Sequence, residues 1–278
     1  MTQWVTMFLA SMDHSPSEQL TGDPDCWHHT VLILSEGGKH TELSHKIAKR
    51  INGNSNLSKW AGRKDGYKQK FEKALAATIT NFPVFLEAIS AQELVMEDSF
   101  GHMIDELGLS RYVQTSTKNG KPYMVFGPFL RGQSGKSAEE LEKVSFGLPR
   151  VQAVPLIFIC HFVLRLHQRL LPALRVDRPQ LDWLDMQLMP NKFPGGIDGR
   201  MALLFDAIMS LTTPGLIKGN LRIATFVNSK GDAGNELADN VAGLLRDKIA
   251  SGNHEFLPGI NQTGWEIWEL SRAPMANR

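Results

Sequence analysis

Three carboxylates carry the clearest chemical signal in this chain. Asp13 closes the apolar run WVTMFLASM (4–12). Glu236 and Asp239 lie three apart in NELADNVAGLLRDKI (235–249), so on a helix they share a face. That segment directly follows the strand-forming run LRIATFVNS (221–229). Acids at strand ends and in the first turns of adjoining helices can converge from distant positions. Hard divalent cations take oxygen ligands, and two ions about 3.5–4 Å apart clamp the attacking and leaving oxygens of an in-line phosphodiester displacement. The same spacing also suits helix N-terminal acids favoured by the macrodipole, and spacing alone leaves both readings open.

These residues need a scaffold. Strand-forming runs are expected at 4–12, 27–36, 84–90, 181–189 and 221–229. Helical spacing predicts helices over 39–51 (with Thr41 as N-cap), 65–80, 92–109, 151–172, 200–211 and 235–249. A further short helix is expected over 137–147, with Ser137 as N-cap and Glu140 at the capping-box position. Residues 112–127 alternate strand formers around Asn119-Gly120, a type I′ hairpin pair. The tail around Trp265 and Trp268 reads as a short strand or extended docking segment. Strands mixed with helical crossovers give an α/β layered sheet. At 278 residues the chain is expected to be a single domain, 1–278, with a β-hairpin insertion at about 111–127.

Residues 222–245, RIATFVNSKGDAGNELADNVAGLL, resemble the closing segment of an uncharacterised RNase H-like family. That family ends a strand in Ser, follows it with a short polar loop, and carries a Leu-Ala-Asp-x-x-Ala-Gly core on the next helix. Here the core is Leu237, Ala238, Asp239, Ala242 and Gly243. The family opens with a strand ending Asp-Glu-Ser-Gly, where this chain has Asp13-His14-Ser15-Pro16. SKWAGRKDGYKQKFEKAL (58–75) is similar to the family's Lys-centred stretch. The resemblance spans most of residues 4–245 and implies an RNase H-like mixed central sheet flanked by helices. It also implies a two-metal nuclease of DNA or RNA using Mg2+ or Mn2+. Asp13, Asp185 and Asp239 would face the metal, Glu236 would be a further ligand, and Lys59 would face substrate phosphate or developing charge.

The chain departs from that pattern in places. His14 replaces the usual Glu, and Pro190 and Asn191 stand where the family has a third acid. Asp185 lies within the run 181–189 and can point to either face. A catalytically degenerate RNase H-like interaction subunit of a defence complex, such as phage defence, or of a mobile-element complex is therefore the alternative. A protein partner or a homo-oligomer would then dock on the hairpin or the Trp-bearing tail.

Other features bound the function. The formal net charge of +1 carries no global basic signature, so a nucleic-acid partner needs a local patch. KWAGRKDGYKQK (59–70) offers one, with Trp60 and Tyr67 interleaved for base stacking, although a solvated helix face explains it equally well. Cys26 and Cys160 match no ligand spacing and read as ordinary thiols of a reducing, cytoplasmic compartment. His28 and His29 should face opposite ways along a strand. Either could help Asp13 hold a metal, but a satisfied or surface histidine is the commoner case. His161 reads as core. The apolar stretch 154–166 is too short for a membrane span, and the N-terminus lacks the basic start of a signal peptide. GQSGKS (132–137) has Leu130 where a phosphate loop needs Gly. No Gly-x-Ser-x-Gly elbow supports a serine hydrolase.

Overall fold

Apolar residues at successive positions suit a strand covered on both faces, and the run HHTVLILS in strand β2 (Trp27–Glu36) is buried from His28 to Ser35. The computed structural model describes residues 7–15, 19–37, 39–79, 81–82, 84–131, 142–177, 185–190, 204–205, 207–209, 211, 233–252 and 266–270. Strand β1 (Met7–Ser15) precedes β2. Helices α1 (Lys39–Asn52) and α2 (Asp65–Ile79), strand β3 (Val84–Gln92) and helices α3 (Glu93–Asp98) and α4 (Phe100–Glu106) follow. Then come β4 (Val113–Lys118), β5 (Lys121–Arg131), β6 (Glu142–Pro149), α5 (Arg150–Asp177), β7 (Asp185–Pro190), α6 (Ala233–Ala250) and β8 (Glu266–Leu270).

The architecture is mixed α/β. A five-stranded sheet runs β7-β1-β2-β3-β8, and a three-stranded sheet runs β4-β5-β6. β1, β2 and β3 pair antiparallel in turn, β7 is parallel to β1, and β8 is parallel to β3. Side chains alternate across a strand, so β2 serves two cores. Val31 and Ile33 pack with Leu43 and Ile47 of α1, Phe71 and Leu75 of α2, and Leu237 and Val241 of α6. Leu32 and Leu34 belong to the other core, with Met12, Ile89, Leu156 and Phe162, and with Met124, Phe126 and Leu148 of the small sheet. α5 is apolar nearly all round from Ala153 to Cys160 because it is enclosed. Among the described residues, no helix is long and apolar enough to cross a membrane.

Several expectations needed correction. The segment 142–147 is strand, not helix. Val144, Phe146 and Leu148 turn inward while Lys143, Ser145 and Gly147 are exposed, and the segment pairs with β5; the expected cap residues Ser137 and Glu140 lie outside the described residues. The hairpin expected at 111–127 forms as β4 and β5 and, with β6, makes a three-stranded sheet packed on α5. The helix expected over 92–109 breaks at Ser99 into α3 and α4. α1 begins at Lys39, ahead of Thr41, and the His40 N–H is taken by Ser35 Oγ at 2.9 Å. His161 is no simple core residue, because its Nε2 pairs with Glu106, which also accepts Arg165 at 2.7 Å. The phosphate-loop-like segment 132–137 and the strand 221–229 lie outside the described residues.

Candidate functional site

The closing helix α6 rests on the opening strand at its first turn. A Cβ at Gly234 would sit 2.4 Å from Ser11 Oγ and 2.7 Å from the His40 ring, so only glycine admits this approach. Ser11 Oγ is 3.1 Å from His40 Nε2, and His40 Nδ1 is 2.7 Å from Ser35 Oγ. All three residues are buried, Ser11 and Ser35 completely. This buried Ser-His-Ser chain, with the His40 N–H also on Ser35 Oγ and Gly234 packed against Ser11 and His40, ties α1 and α6 to the sheet.

The outer side of α6 holds the loop between α1 and α2. Glu236 Oε2 accepts the Leu57 N–H at 3.1 Å, and Asp239 Oδ2 accepts the Trp60 N–H at 3.1 Å. Asn240 Nδ2 donates to Ser58 O at 2.9 Å, and the Tyr67 hydroxyl lies 3.0 Å from Asn240 Oδ1. Two turns further, Asp247 Oδ2 accepts Trp60 Nε1–H at 3.0 Å and Lys68 Nζ at 2.6 Å. Burial disfavours the Asp247 carboxylate, but the bonds from Lys68 and Trp60 outweigh it and hold its pKa below the usual carboxylate value. A loop without its own backbone ladder needs such acceptors, and residues spaced by three and four along α6 supply them on one stripe.

Each expected site residue can now be located. Asp13 pairs with Val31 across β1 and β2, so it faces the α6 side of the sheet, where it is 6% exposed. Asp239 and Glu236 are joined to the Lys59 segment, and Lys59 itself is exposed. At about 100° per residue, Asp239 leaves α6 roughly 140° round from Gly234, the residue that meets β1. Asp239 therefore turns away from the β1 contact, toward the Trp60 loop, while Asp13 lies on the sheet face where α6 packs. Asp185 is not brought to Asp13. It lies opposite Met7, roughly 20 Å along β1 from Asp13 at about 3.3 Å per residue. Beside Asp13 on that edge, Pro190 pairs with Met12.

The expected base-stacking role of Trp60 and Tyr67 does not hold. Trp60 is 2% exposed against Phe71 and Gly243, and Tyr67 is half-buried beneath Ser58. Sequence alone presents both aromatics as an exposed stripe; their fit to α6 depends on residues far along the chain.

His28 and His29 do face opposite ways. His29 Nδ1 lies 2.9 Å from Ser90 Oγ on the α6 side. Burial, reinforced by His28 and Arg246, pulls its pKa down to about 4. His28 turns to the α5 side, with Nε2 at 2.8 Å from Glu93 Oε1 and Nδ1 at 3.0 Å from His14 Nε2. His14 Nδ1 in turn lies 2.8 Å from Thr30 Oγ1. The ligand atoms of Cys26, His28 and Glu93 all lie within 4.8 Å of one another. Burial, with Glu93 and Asp23 adding to it, raises the Cys26 thiol pKa. Glu93 goes the other way: burial opposes its ionisation, but the N–H of Thr21 and the His28 ring outweigh it. Sequence reading missed this cluster. Cys26-x-His28 was its local trace, while Glu93 joins only through the β2–β3 pairing. The chain matches no protein-family model, no curated protein and no solved structure.

Proposed function

We propose that this chain is a metal-dependent nuclease on an RNase H-like fold, with Asp13 and Asp239 as its principal carboxylates. The observation that supports this reading is the assembly of the three segments that carry the resemblance. α6 is laid on β1 at Gly234 and Ser11, and its Asp239 holds the Lys59 segment through the Trp60 N–H. Oxygen donors of this kind suit Mg2+ or Mn2+. Asp239 uses Oδ2 for the loop, which leaves Oδ1 for an ion, and Asp13 offers a buried carboxylate on the covered face. Asp185 does not fit by position. A bound ion would supply an activated water and neutralise charge developing on the phosphate. The chain's own part is to fix the acids, with Glu236 bracing the loop, and to present the exposed Lys59 to a phosphate.

A catalytically degenerate interaction subunit is the second reading, and specific observations favour it. Pro190 stands at the strand end beside Asp13, and both Glu236 and Asp239 serve as loop anchors. Cleavage of labelled single- and double-stranded DNA and RNA with Mg2+ or Mn2+ separates the two. Asp239→Asn keeps an oxygen for the Trp60 N–H while removing the charge. Loss of metal-dependent cleavage with an unchanged melting temperature supports the nuclease. Full cleavage by this variant, or none by the wild type alongside a co-purifying protein partner, contradicts it.

A further inference from the structure

We infer that Cys26, His28 and Glu93 form a second metal site, selective for a zinc-class divalent cation, on the opposite side of the sheet from Asp13. One sulfur, one imidazole nitrogen and one carboxylate oxygen form a borderline-soft donor set, which suits zinc rather than Mg2+ or Mn2+. Two of the three donors are built in. His28 is fully buried and Glu93 is 3% exposed. Glu93 is held by backbone N–H groups, Thr21 on Oε1 at 2.6 Å and Gly22 on Oε2 at 3.0 Å. Ligating carboxylates are held by outer hydrogen bonds of this type.

The imidazole is oriented in the same way. Without a cation, an ionised Glu93 requires the proton of His28 on Nε2, at 2.8 Å. A cation takes the place of that proton. His28 then carries its proton on Nδ1 and donates it to His14 Nε2 at 3.0 Å, and His14 donates from Nδ1 to Thr30 Oγ1 at 2.8 Å. Both settings leave every nitrogen of the pair with a partner, so the site accepts a metal by shifting protons along a relay that already exists. The outgoing proton leaves from the Cys26 thiol, as thiolate ligation demands.

Closing the site requires little movement. With metal–ligand bonds of about 2.0–2.3 Å, tetrahedral donor–donor edges are about 3.3–3.8 Å. The widest edge, within 4.8 Å, must therefore shorten by roughly 1 Å, within reach of a Cys26 side-chain rotation, and the 2.8 Å edge between His28 Nε2 and Glu93 Oε1 must open by about 0.5 Å as the ion replaces the proton. Cys26 is partly exposed, so water completes the fourth position. The ion would fasten residues 19–26, which connect β1 and β2, to the first turn of α3.

The test uses the full chain stripped with a chelator and titrated with Zn2+ and, separately, Co2+. The expected result is one tightly held Zn2+ per chain and a thiolate-to-cobalt charge-transfer band in the near ultraviolet. Cys26→Ser should abolish that band, and Cys160→Ser should leave it intact. Glu93→Gln and His14→Ala should each weaken Zn2+ binding, the latter by about 10–100-fold. A cobalt spectrum without the thiolate band, or Zn2+ retained at full affinity by Cys26→Ser with His28→Gln, would overturn the assignment. Nucleic-acid cleavage is not the readout, so this proposal stands or falls apart from the nuclease.

Discussion

The Trp60 indole lies directly on Gly243, so closely that a Cβ at residue 243 would be 2.2 Å from Trp60 Cγ. The glycine of the closing helix is therefore a seat for the loop that carries Lys59. The contact involves the root of the indole and not a flexible end, so the loop must move to accommodate any side chain. Gly243→Ala should destabilise the fold by about 1–3 kcal/mol through overpacking, less the gain of about 1 kcal/mol from replacing a helical glycine. Denaturant unfolding measures the net loss, and a more stable variant would show that the seat is not needed.

Asp239 gives a second prediction about the same loop. Asp239→Ala leaves the Trp60 N–H without its acceptor and should cost about 1–3 kcal/mol, while Asp239→Asn, which retains an oxygen, should cost less than about 1 kcal/mol. Equal losses in the two variants would mean that charge, not hydrogen bonding, holds the loop.

Acid should weaken the fold through His29. Its pKa falls from 6.5 to about 4 on folding, so between those values the unfolded chain binds a proton that the folded chain does not. The stabilisation is complete above pH 6.5 and is lost as pH falls through that window, in total about 3 kcal/mol at about 1.4 kcal/mol per unit. His29→Asn keeps a partner for Ser90 Oγ and should flatten the dependence of melting temperature on pH. An unchanged pH slope in that variant would assign the acid sensitivity elsewhere.

Local rules made much of the fold legible, and long-range pairing set the rest. β2 occupies 27–36 as its apolar run implies, and Asn119-Gly120 turns with φ of 54° and 72° as a type I′ pair requires. β6 was missed because the spacing of Ser137 and Glu140 reads locally as a helix start, whereas the alternation of Val144, Phe146 and Leu148 takes effect only beside β5. The site divides in the same way. The shared face of Glu236 and Asp239 follows from helical spacing, but their use as acceptors for Leu57 and Trp60 spans a sequence separation of 179 and leaves no local trace.

The hairpin offers a check independent of any site. Asn119 holds a left-handed φ that alanine tolerates poorly, so Asn119→Ala should cost about 1 kcal/mol. Asn119→Gly should be close to neutral. Thermal unfolding distinguishes these outcomes, and an alanine variant as stable as the wild type would remove the turn from the account.

The central proposal, that an acid on the sheet and an acid on its covering helix support metal-dependent nuclease chemistry, is tested most directly at Asp13. The measurement is Mn2+-dependent cleavage of labelled DNA and RNA by the wild type and by Asp13→Asn at matched folded fraction. The account predicts cleavage by the wild type that requires the metal and falls by roughly 100-fold or more in the variant. Cleavage by Asp13→Asn at the wild-type rate, or a wild type inert on every substrate with saturating metal, would contradict it.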